Sequence, residues 1–250
     1  MVAEAYDWYL GEPDSEEVDF FASVVAAAPG PGLELACGTG RVLLELAGRG
    51  LDVDGVDSSG DMLAICREKA NQRGVNVGLF EQYAQTMRLQ GTYGSVFCPG
   101  SSFMVFADPN DARSVLARIG EHLRPEGRIA LTAHVPRTSE LTTTWRVRRE
   151  VARPSDQAVL RLWERVSLDS VRQIQTNELR NEFVVDGVVE AEEHHITRLR
   201  WWTPEQFEEL LTSAGYDKVA ITHGWSGDAA GPDVHEYVAV AQLPGLQQLL

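Results

Sequence analysis

A glycine-containing turn between a short apolar strand and a helix most constrains the fold of this chain. The strand is predicted over Gly32–Leu35, the turn over Ala36–Gly40 and the helix over Val42–Ala47. Backbone N–H groups at the start of a helix can cradle a ligand, and glycines let that ligand approach the backbone. The turn therefore predicts an α/β fold with a cofactor cradle between this strand and this helix.

Strands and helices continue to alternate over the first 134 residues. Units of about thirty residues, each a strand and a helix, predict a parallel sheet that is covered on both faces. Helices are expected from Asp14 or Ser15 up to Pro29, over Asp61–Gln72, over Asp111–His122 and from Pro204 to Gly215, and further strands over Asp52–Asp57, Val75–Phe80, Ser95–Cys98, Arg128–His134, Lys218–Thr222 and Val234–Ala241.

The pattern changes between residues 141 and 199, where large apolar and charged residues alternate at every second position. Asp186 and Gly187 form a strong signal for a hairpin turn between two such runs. We expect an antiparallel sheet of three or four strands inserted into the α/β pattern. The prediction is one domain over 1–140 and 200–250, with the insertion over 141–199.

Composition and charge exclude several classes of protein. The 250 residues are 44% hydrophobic and 24% charged, which excludes disorder and coiled coil. A net charge of −15 repels nucleic acid and anionic lipid, so we expect neither nucleic acid nor a membrane as partner. The apolar run Phe20–Ala28 is too short to span a bilayer. Three cysteines without a CxxC pair, Cys37, Cys66 and Cys98, indicate a reducing cytoplasm.

Two classes of cofactor fit a glycine turn of this kind. A dinucleotide fingerprint needs the spacing GxGxxG, and counting from Gly38 and Gly40 puts its third glycine on Leu43. A nicotinamide oxidoreductase is therefore disfavoured. Asp57 ends the next predicted strand and can bond two ribose hydroxyls in either case.

Several motifs in order resemble those of the class I S-adenosylmethionine-dependent methyltransferases, in the small-molecule branch that carries an antiparallel cap. The resemblance rests on Glu34–Gly40 (ELACGTG), Gly55–Leu63 (GVDSSGDML), His122–Gly127 (HLRPEG) and Ala214–Tyr216 (AGY). It implies a Rossmann-like sheet of seven strands, the last antiparallel, with helices on both faces and an inserted antiparallel β cap over the active site.

The resemblance also implies how S-adenosyl-L-methionine is held. Gly38, Gly40 and Ala36 would pass beneath the methionine part of the cofactor. Glu34 would hold its amino group, and Asp57 would accept both ribose hydroxyls. The implied set further contains Tyr9 in an N-terminal segment that closes over the cofactor, Ser58, Met62 on the adenine face, Ala84 and Gln85 at the adenine edge, and Pro99 and Gly100 beside the sulfonium.

The implied reaction is methyl transfer to a small-molecule acceptor enclosed by the cap, an in-line displacement at a sulfonium. Alignment alone can supply roughly 7–11 kcal/mol of such a barrier, and a base is needed only when the acceptor is protonated. His194 and His195 are adjacent and point to opposite faces of a strand, so they cannot both bind one metal there. No metal site is predicted, and His195 is the candidate base.

Two alternatives stay open beside methyl transfer. A cofactor-binding protein of the same fold, with cyclase or elimination activity, would keep the same pocket motifs. A nicotinamide oxidoreductase is the less favoured one. We expect the acceptor to offer an oxygen or nitrogen nucleophile on a natural-product or sugar-like metabolite. The sequence determines neither its identity nor the oligomeric state of the protein.

Overall fold

Two units, each with its own sheet, make up the computed structural model of the protein. It describes residues 6–7, 11–138, 141–152, 158–231 and 234–245. The first unit contains residues 13–135 and 202–250, and the second contains residues 1–12 and 136–201. None of the helices in the described part of the chain is long and apolar enough to cross a membrane.

The first unit is built on a seven-stranded sheet. Its strands are β1 (Gly32–Leu35), β2 (Val53–Asp57), β3 (Leu79–Glu81), β4 (Tyr93–Cys98), β5 (Leu123–His134), β10 (Asp217–His223) and β11 (Glu236–Gln242). They lie in the order β10-β11-β5-β4-β1-β2-β3. Strands β1 to β5 pair in parallel, whereas β11 is antiparallel to both of its neighbours. The order reverses at β1 and β4, where ligands of such sheets bind beyond the carboxyl ends of the strands.

The helices of this unit begin and end where local chemistry predicts. Asp14 and Ser59 accept hydrogen bonds from backbone N–H groups of the first turns that follow them. Gly74 ends its helix in the left-handed conformation, with φ 66°. Thr203 and Gln206 form a capping box. The helices are α1 (Ser15–Ala26), α2 (Leu43–Gly48), α3 (Gly60–Arg73), α4 (Pro109–His122) and α5 (Pro204–Ser213).

The core of the first unit lies around the central strands of this sheet. Leu33 and Leu35 of β1 and Phe97 of β4 are fully buried, and the ring of Phe21 from α1 packs 5.3 Å from that of Phe97. All four residues of β1 and all six of β4 are buried. Continuous burial is the pattern of parallel strands covered on both faces, as the sequence predicts.

The second unit contains a four-stranded antiparallel sheet. Its strands are β6 (Thr142–Ala152), β7 (Val159–Asp169), β8 (Ile174–Val185) and β9 (Val188–Arg200), paired in that order. Asp186 and Gly187 turn between β8 and β9 with positive φ values of 49° and 79°, as the hairpin signal requires. The Rossmann-like α/β sheet with an inserted antiparallel sheet confirms the predicted fold class.

Two strands begin four or more residues away from their predicted starts, for local reasons. β3 begins at Leu79 rather than Val75, because the Val75 N–H bonds to Ala70 O at the end of α3 and the Gly78 N–H bonds to the Asp54 carboxylate. β5 begins at Leu123 rather than Arg128. Its pairing with β4 shifts register before Arg128, so residues 124–127 bulge out of an otherwise continuous strand.

Candidate functional site

The turn after β1 and the end of β2 are joined by one carboxylate. Asp57 Oδ2 accepts a hydrogen bond from the Gly38 N–H at 2.8 Å, and Oδ1 accepts one from the Ser59 N–H at 2.9 Å. Within the turn, Ala36 and Gly38 have positive φ values of 54° and 55°. The left-handed backbone is uncommon for alanine and indicates a turn that its surroundings hold in shape.

Gly40 is required by packing as well as by any ligand. Its φ is 83°, and a Cβ placed there would lie 2.5 Å from Cys66 Sγ and 2.9 Å from Leu44 Cγ. Cys66 is on α3 and Leu44 is on α2, so the glycine lets these two helices approach each other. The sequence motif is therefore partly a packing motif.

A cavity of about 230 Å³ opens beside Asp57. Five of the residues predicted to hold the cofactor line it: Ala36, Asp57, Ser58, Ala84 and Gln85. They come from the segments that follow β1, β2 and β3, whose carboxyl ends meet at one edge of the sheet. The cavity thus has a carboxylate on one side and an amide side chain among its other walls.

Further residues of this cavity were not predicted from the sequence: Val56, Gln82, Tyr83, Val105 and Phe106. Tyr83 is 67% exposed and Val105 is 45% exposed, so two large side chains are presented to solvent where they line the cavity. The sequence offers one indication of these residues, which is that most of them follow β3 or β4. Residues just beyond the carboxyl ends of strands form the ligand site in such folds.

Glu34 is a buried carboxylate next to the turn. It is 3% exposed, and among the described residues its Oε2 has no hydrogen-bond partner. Burial raises the pKa of Glu34 well above its ordinary value, and the positive charge of Arg41 opposes that rise. A buried carboxylate oxygen without a partner is costly unless a ligand donates to it. The ammonium of a methionine group is a donor of that kind.

An arginine follows the glycine turn and is held by the helix before β1. Arg41 Nη1 lies 2.6 Å from Glu17 Oε2, and Nη2 lies 2.8 Å from Glu17 Oε1, a bidentate pair. Glu17 is 6% exposed. The pair has no signal in the sequence, because its members are separated by 24 positions and no motif links them.

The loop after β4 contains two more predicted residues, Pro99 and Gly100. Gly100 and Ser101 have positive φ values of 63° and 58°. The Ser101 N–H donates to Thr132 Oγ1 at 2.6 Å, and that hydroxyl donates to Cys98 O at 3.1 Å. The loop is therefore fixed to β5, which lies beside β4 in the sheet.

Two predicted residues, Met62 and Tyr9, remain to be placed. Met62 is half-buried in the first turn of α3, where its N–H bonds to Ser59 Oγ at 3.3 Å. Tyr9 lies outside the described residues. The assignments of both to the cofactor stay predictions.

The two adjacent histidines lie on opposite faces of β9. His195 pairs with Leu179 and His194 pairs with Arg180, and both side chains are exposed. His194 Nε2 lies 2.6 Å from Glu192 Oε1, and its ring centroid is 6.3 Å from that of Trp145. Among the described residues, no group of three or more His, Cys, Asp or Glu side chains is placed to hold a metal ion.

Comparison with known proteins shows which kind of domain surrounds this cavity. Residues 33–127 match a family model described as a methyltransferase domain. The chain therefore contains a methyltransferase domain. The matched segment begins in β1 and ends at Gly127, so it contains the turn, Asp57 and every residue that lines the cavity.

Two relatives and one solved structure illustrate the similarity of this methyltransferase to others. A putative methyltransferase of Geobacillus sp. (strain WCH70) is 26% identical over 201 residues, 79% of this chain and 78% of the relative. A dTDP-3-amino-3,6-dideoxy-alpha-D-glucopyranose N,N-dimethyltransferase of Streptomyces fradiae is 27% identical over 199 residues, 78% of this chain and 73% of the relative. The CcbJ methyltransferase of Streptomyces caelestis has the same fold, with a TM-score of 0.78, 24% identity and coverage of 98% of this chain and 97% of that chain.

These findings confirm the predicted enzyme class and its cofactor, S-adenosyl-L-methionine. The residues present also fit that cofactor. Glu34 offers an unpartnered buried oxygen for an ammonium, and Asp57 stands at a cavity where ribose hydroxyls can donate to it.

Proposed function

We propose that this methyltransferase acts on a nitrogen or oxygen atom of a small natural-product or sugar-like metabolite, with the cofactor held at the ends of β1, β2 and β3. The observation that carries the proposal is the cavity beside Asp57, which five of the predicted cofactor residues line. The relative from Streptomyces fradiae, whose name gives a dTDP-linked amino sugar as its acceptor, supports this class of acceptor.

Each cofactor residue has a proposed role. Asp57 accepts the ribose hydroxyls while it keeps its bonds to the turn, because a carboxylate has about four lone-pair sites. Glu34 accepts from the amino group. The other assigned residues are Ala36, Gly38 and Gly40 beneath the methionine part, Ser58 beside the ribose, Met62, Ala84 and Gln85 around the adenine, Pro99 and Gly100 near the sulfonium, and Tyr9 in the N-terminal segment.

S-adenosylmethionine, when bound, supplies a methyl group on a positively charged sulfur. The chain must then hold the acceptor atom in line with that methyl, which alone accounts for roughly 7–11 kcal/mol of the barrier. His195 is the proposed base for an acceptor that carries a proton, because its imidazole is exposed on β9 and histidine is the side chain that most often acts as a general base.

We also propose that the protein works in the cytoplasm and does not bind nucleic acid. Cys37, Cys66 and Cys98 are free thiols and all three are buried, which suits a reducing compartment. The net charge of −15 opposes binding to a phosphate backbone.

A two-step experiment tests the proposal. Calorimetric titration of the full chain with S-adenosylmethionine and with NADH compares the two cofactor classes. Incubation with methyl-labelled S-adenosylmethionine and a panel of amino sugars, phenols and amines then measures labelled product and S-adenosylhomocysteine. Binding of NADH without S-adenosylmethionine contradicts the proposal. Cofactor consumption that gives a cyclised or eliminated product without label transfer supports the alternative activity on the same fold.

A further inference from the structure

The four-stranded sheet contains a second cavity, of about 470 Å³. It lies entirely within the second unit, and the cofactor motifs do not include any of its residues. The residues that define its chemistry are Arg146 and Arg148 of β6, Glu164 and Val166 of β7, and Gln175 and Asn177 of β8.

The charges in this cavity do not balance. Glu164 has a side chain that is 8% exposed, and Arg146 donates to its Oε1 through Nε at 2.9 Å and through Nη2 at 2.6 Å. Arg148 Nη1 donates to Oε2 at 3.2 Å. One arginine neutralises the carboxylate, so the second leaves a net positive charge in a protein whose overall charge is −15.

Both guanidinium groups remain open to a ligand. The side chains of Arg146 and Arg148 are 55% and 50% exposed. Their three bonds to Glu164 use only part of the N–H donors that two guanidiniums offer, and Glu164 fixes how they are oriented. A guanidinium group that is held in one orientation can donate two N–H hydrogen bonds to a phosphate group, whose oxygens accept several such bonds at once.

The neighbouring wall is polar but uncharged. Gln175 Nε2 donates to Asn177 Oδ1 at 2.8 Å, so two amide groups lie together on β8. Amides both donate to and accept from hydroxyl groups. Val166, which is 8% exposed, supplies an apolar surface beside them. A ligand that suits the whole cavity is therefore anionic at one end and rich in hydroxyl groups elsewhere.

We propose that this cavity binds the phosphate group of a phosphorylated, hydroxyl-rich methyl acceptor. A sugar phosphate and a nucleotide-linked sugar share this chemistry. The inference that the ligand is the methyl acceptor rests on the proposed function. The inference that Arg146 and Arg148 bind a phosphate group does not depend on it. The proposal adds a phosphate group, and the residues that bind it, to the acceptor class of the proposed function.

Calorimetry on the full chain tests the proposal with two probes. Titration with inorganic pyrophosphate measures the affinity for phosphate groups alone. The difference in affinity between glucose 1-phosphate and glucose measures what the phosphate adds to a hydroxyl-rich ring. We expect Arg146→Gln and Arg148→Gln each to weaken both phosphate probes by about tenfold or more. The matched control is Arg172→Gln, an exposed arginine of the same unit that pairs with Asp169 and should leave both affinities unchanged.

The outcomes separate this inference from the proposed function, because S-adenosylmethionine affinity is measured on the same proteins. Absent pyrophosphate binding, equal affinity for glucose and glucose 1-phosphate, or equal losses in the Arg172→Gln control each overturn the phosphate site while cofactor binding is intact. Absent S-adenosylmethionine binding overturns the proposed function instead. Should Arg146→Gln fail to fold by circular dichroism, Arg148→Gln decides, since Arg148 makes a single and longer bond to Glu164.

Discussion

The carboxylate of Asp57 accepts a hydrogen bond from the backbone N–H of Gly38, at 2.8 Å. This bond ties the end of β2 to the turn that follows β1, and the second oxygen ties Asp57 to Ser59 at the start of α3. One side chain thus fixes the shape of two loops at the cofactor cavity. Any ligand hydroxyl that Asp57 accepts is bound by a group already held in place, which lowers the ordering cost of binding.

Replacement of Asp57 separates these two tasks. Asp57→Asn keeps an oxygen but loses the charge, and we expect S-adenosylmethionine affinity to fall at least tenfold, because hydrogen bonds to charged groups contribute about 1.5–3 kcal/mol. The S-adenosylmethionine affinity of Asp57→Ala should fall further, since the Gly38 N–H also loses its hydrogen-bond partner. Calorimetry measures both. Asp52→Asn, an exposed aspartate at the start of the same segment, is the control. Unchanged affinity in Asp57→Ala would remove the ribose assignment.

Glu34 should make stability fall as the pH rises. Burial raises its pKa in the folded protein well above the ordinary carboxyl value of about 4.3, so between these two values the folded state holds a proton that the unfolded state has lost. The stability that protonated Glu34 contributes is therefore complete below the ordinary pKa and is lost as the pH rises through the raised pKa. Glu34→Gln should flatten this dependence of the melting temperature on pH.

The same substitution should weaken cofactor binding. An amide oxygen is a poorer partner for an ammonium than a carboxylate, so we expect Glu34→Gln to lose at least tenfold in S-adenosylmethionine affinity while the apoprotein becomes no less stable. Thermal unfolding across pH and calorimetry measure the two effects. Glu68→Gln, an exposed residue of α3, provides the matched control. A lower melting temperature with full affinity contradicts both assignments of Glu34.

The fold could be predicted from local signals, and parts of the site could not. The bounds of β1 and the stop of α3 at Gly74 follow from apolar runs and glycine, which act within a few residues. The Arg41–Glu17 pair and the exposed ring of Tyr83 beside the cavity depend on which segments the sheet brings together. Such long-range contacts have no period or spacing that a single sequence displays.

Gly38 and Gly40 should respond differently to the same substitution. At Gly40 a valine would collide with Cys66 and Leu44 at a φ of 83°, so Gly40→Val should lower the melting temperature and the yield of folded protein. Gly38 has a φ of 55°, so valine there is strained by the backbone as well. We expect Gly38→Val to lose less stability than Gly40→Val and to be unable to bind S-adenosylmethionine, because the side chain would fill the space of the cofactor. Circular dichroism and calorimetry distinguish the two.

A second change tests the packing reason. Cys66→Ala removes the nearest atom from the space that a side chain at Gly40 would need, so it should recover part of the stability lost in Gly40→Ala. Normal cofactor affinity in Gly38→Val would place the cradle elsewhere. Equal stability of Gly40→Val and the wild type would show that the helices do not need this glycine.

The role of His195 is decided by comparison with its neighbour. The two side chains occupy opposite faces of β9, and only His194 is engaged by Glu192 and Trp145. We expect His195→Ala to lower turnover by roughly a hundredfold, the typical effect of removing a general base. S-adenosylmethionine affinity should stay unchanged, and His194→Ala should keep wild-type turnover. Release of S-adenosylhomocysteine, followed across pH, measures the turnover of the wild type and of both variants.

Wild-type turnover of His195→Ala at every pH means that no base acts from this position and that alignment suffices. Loss of activity in His194→Ala alone means that the base lies on the other face of the strand.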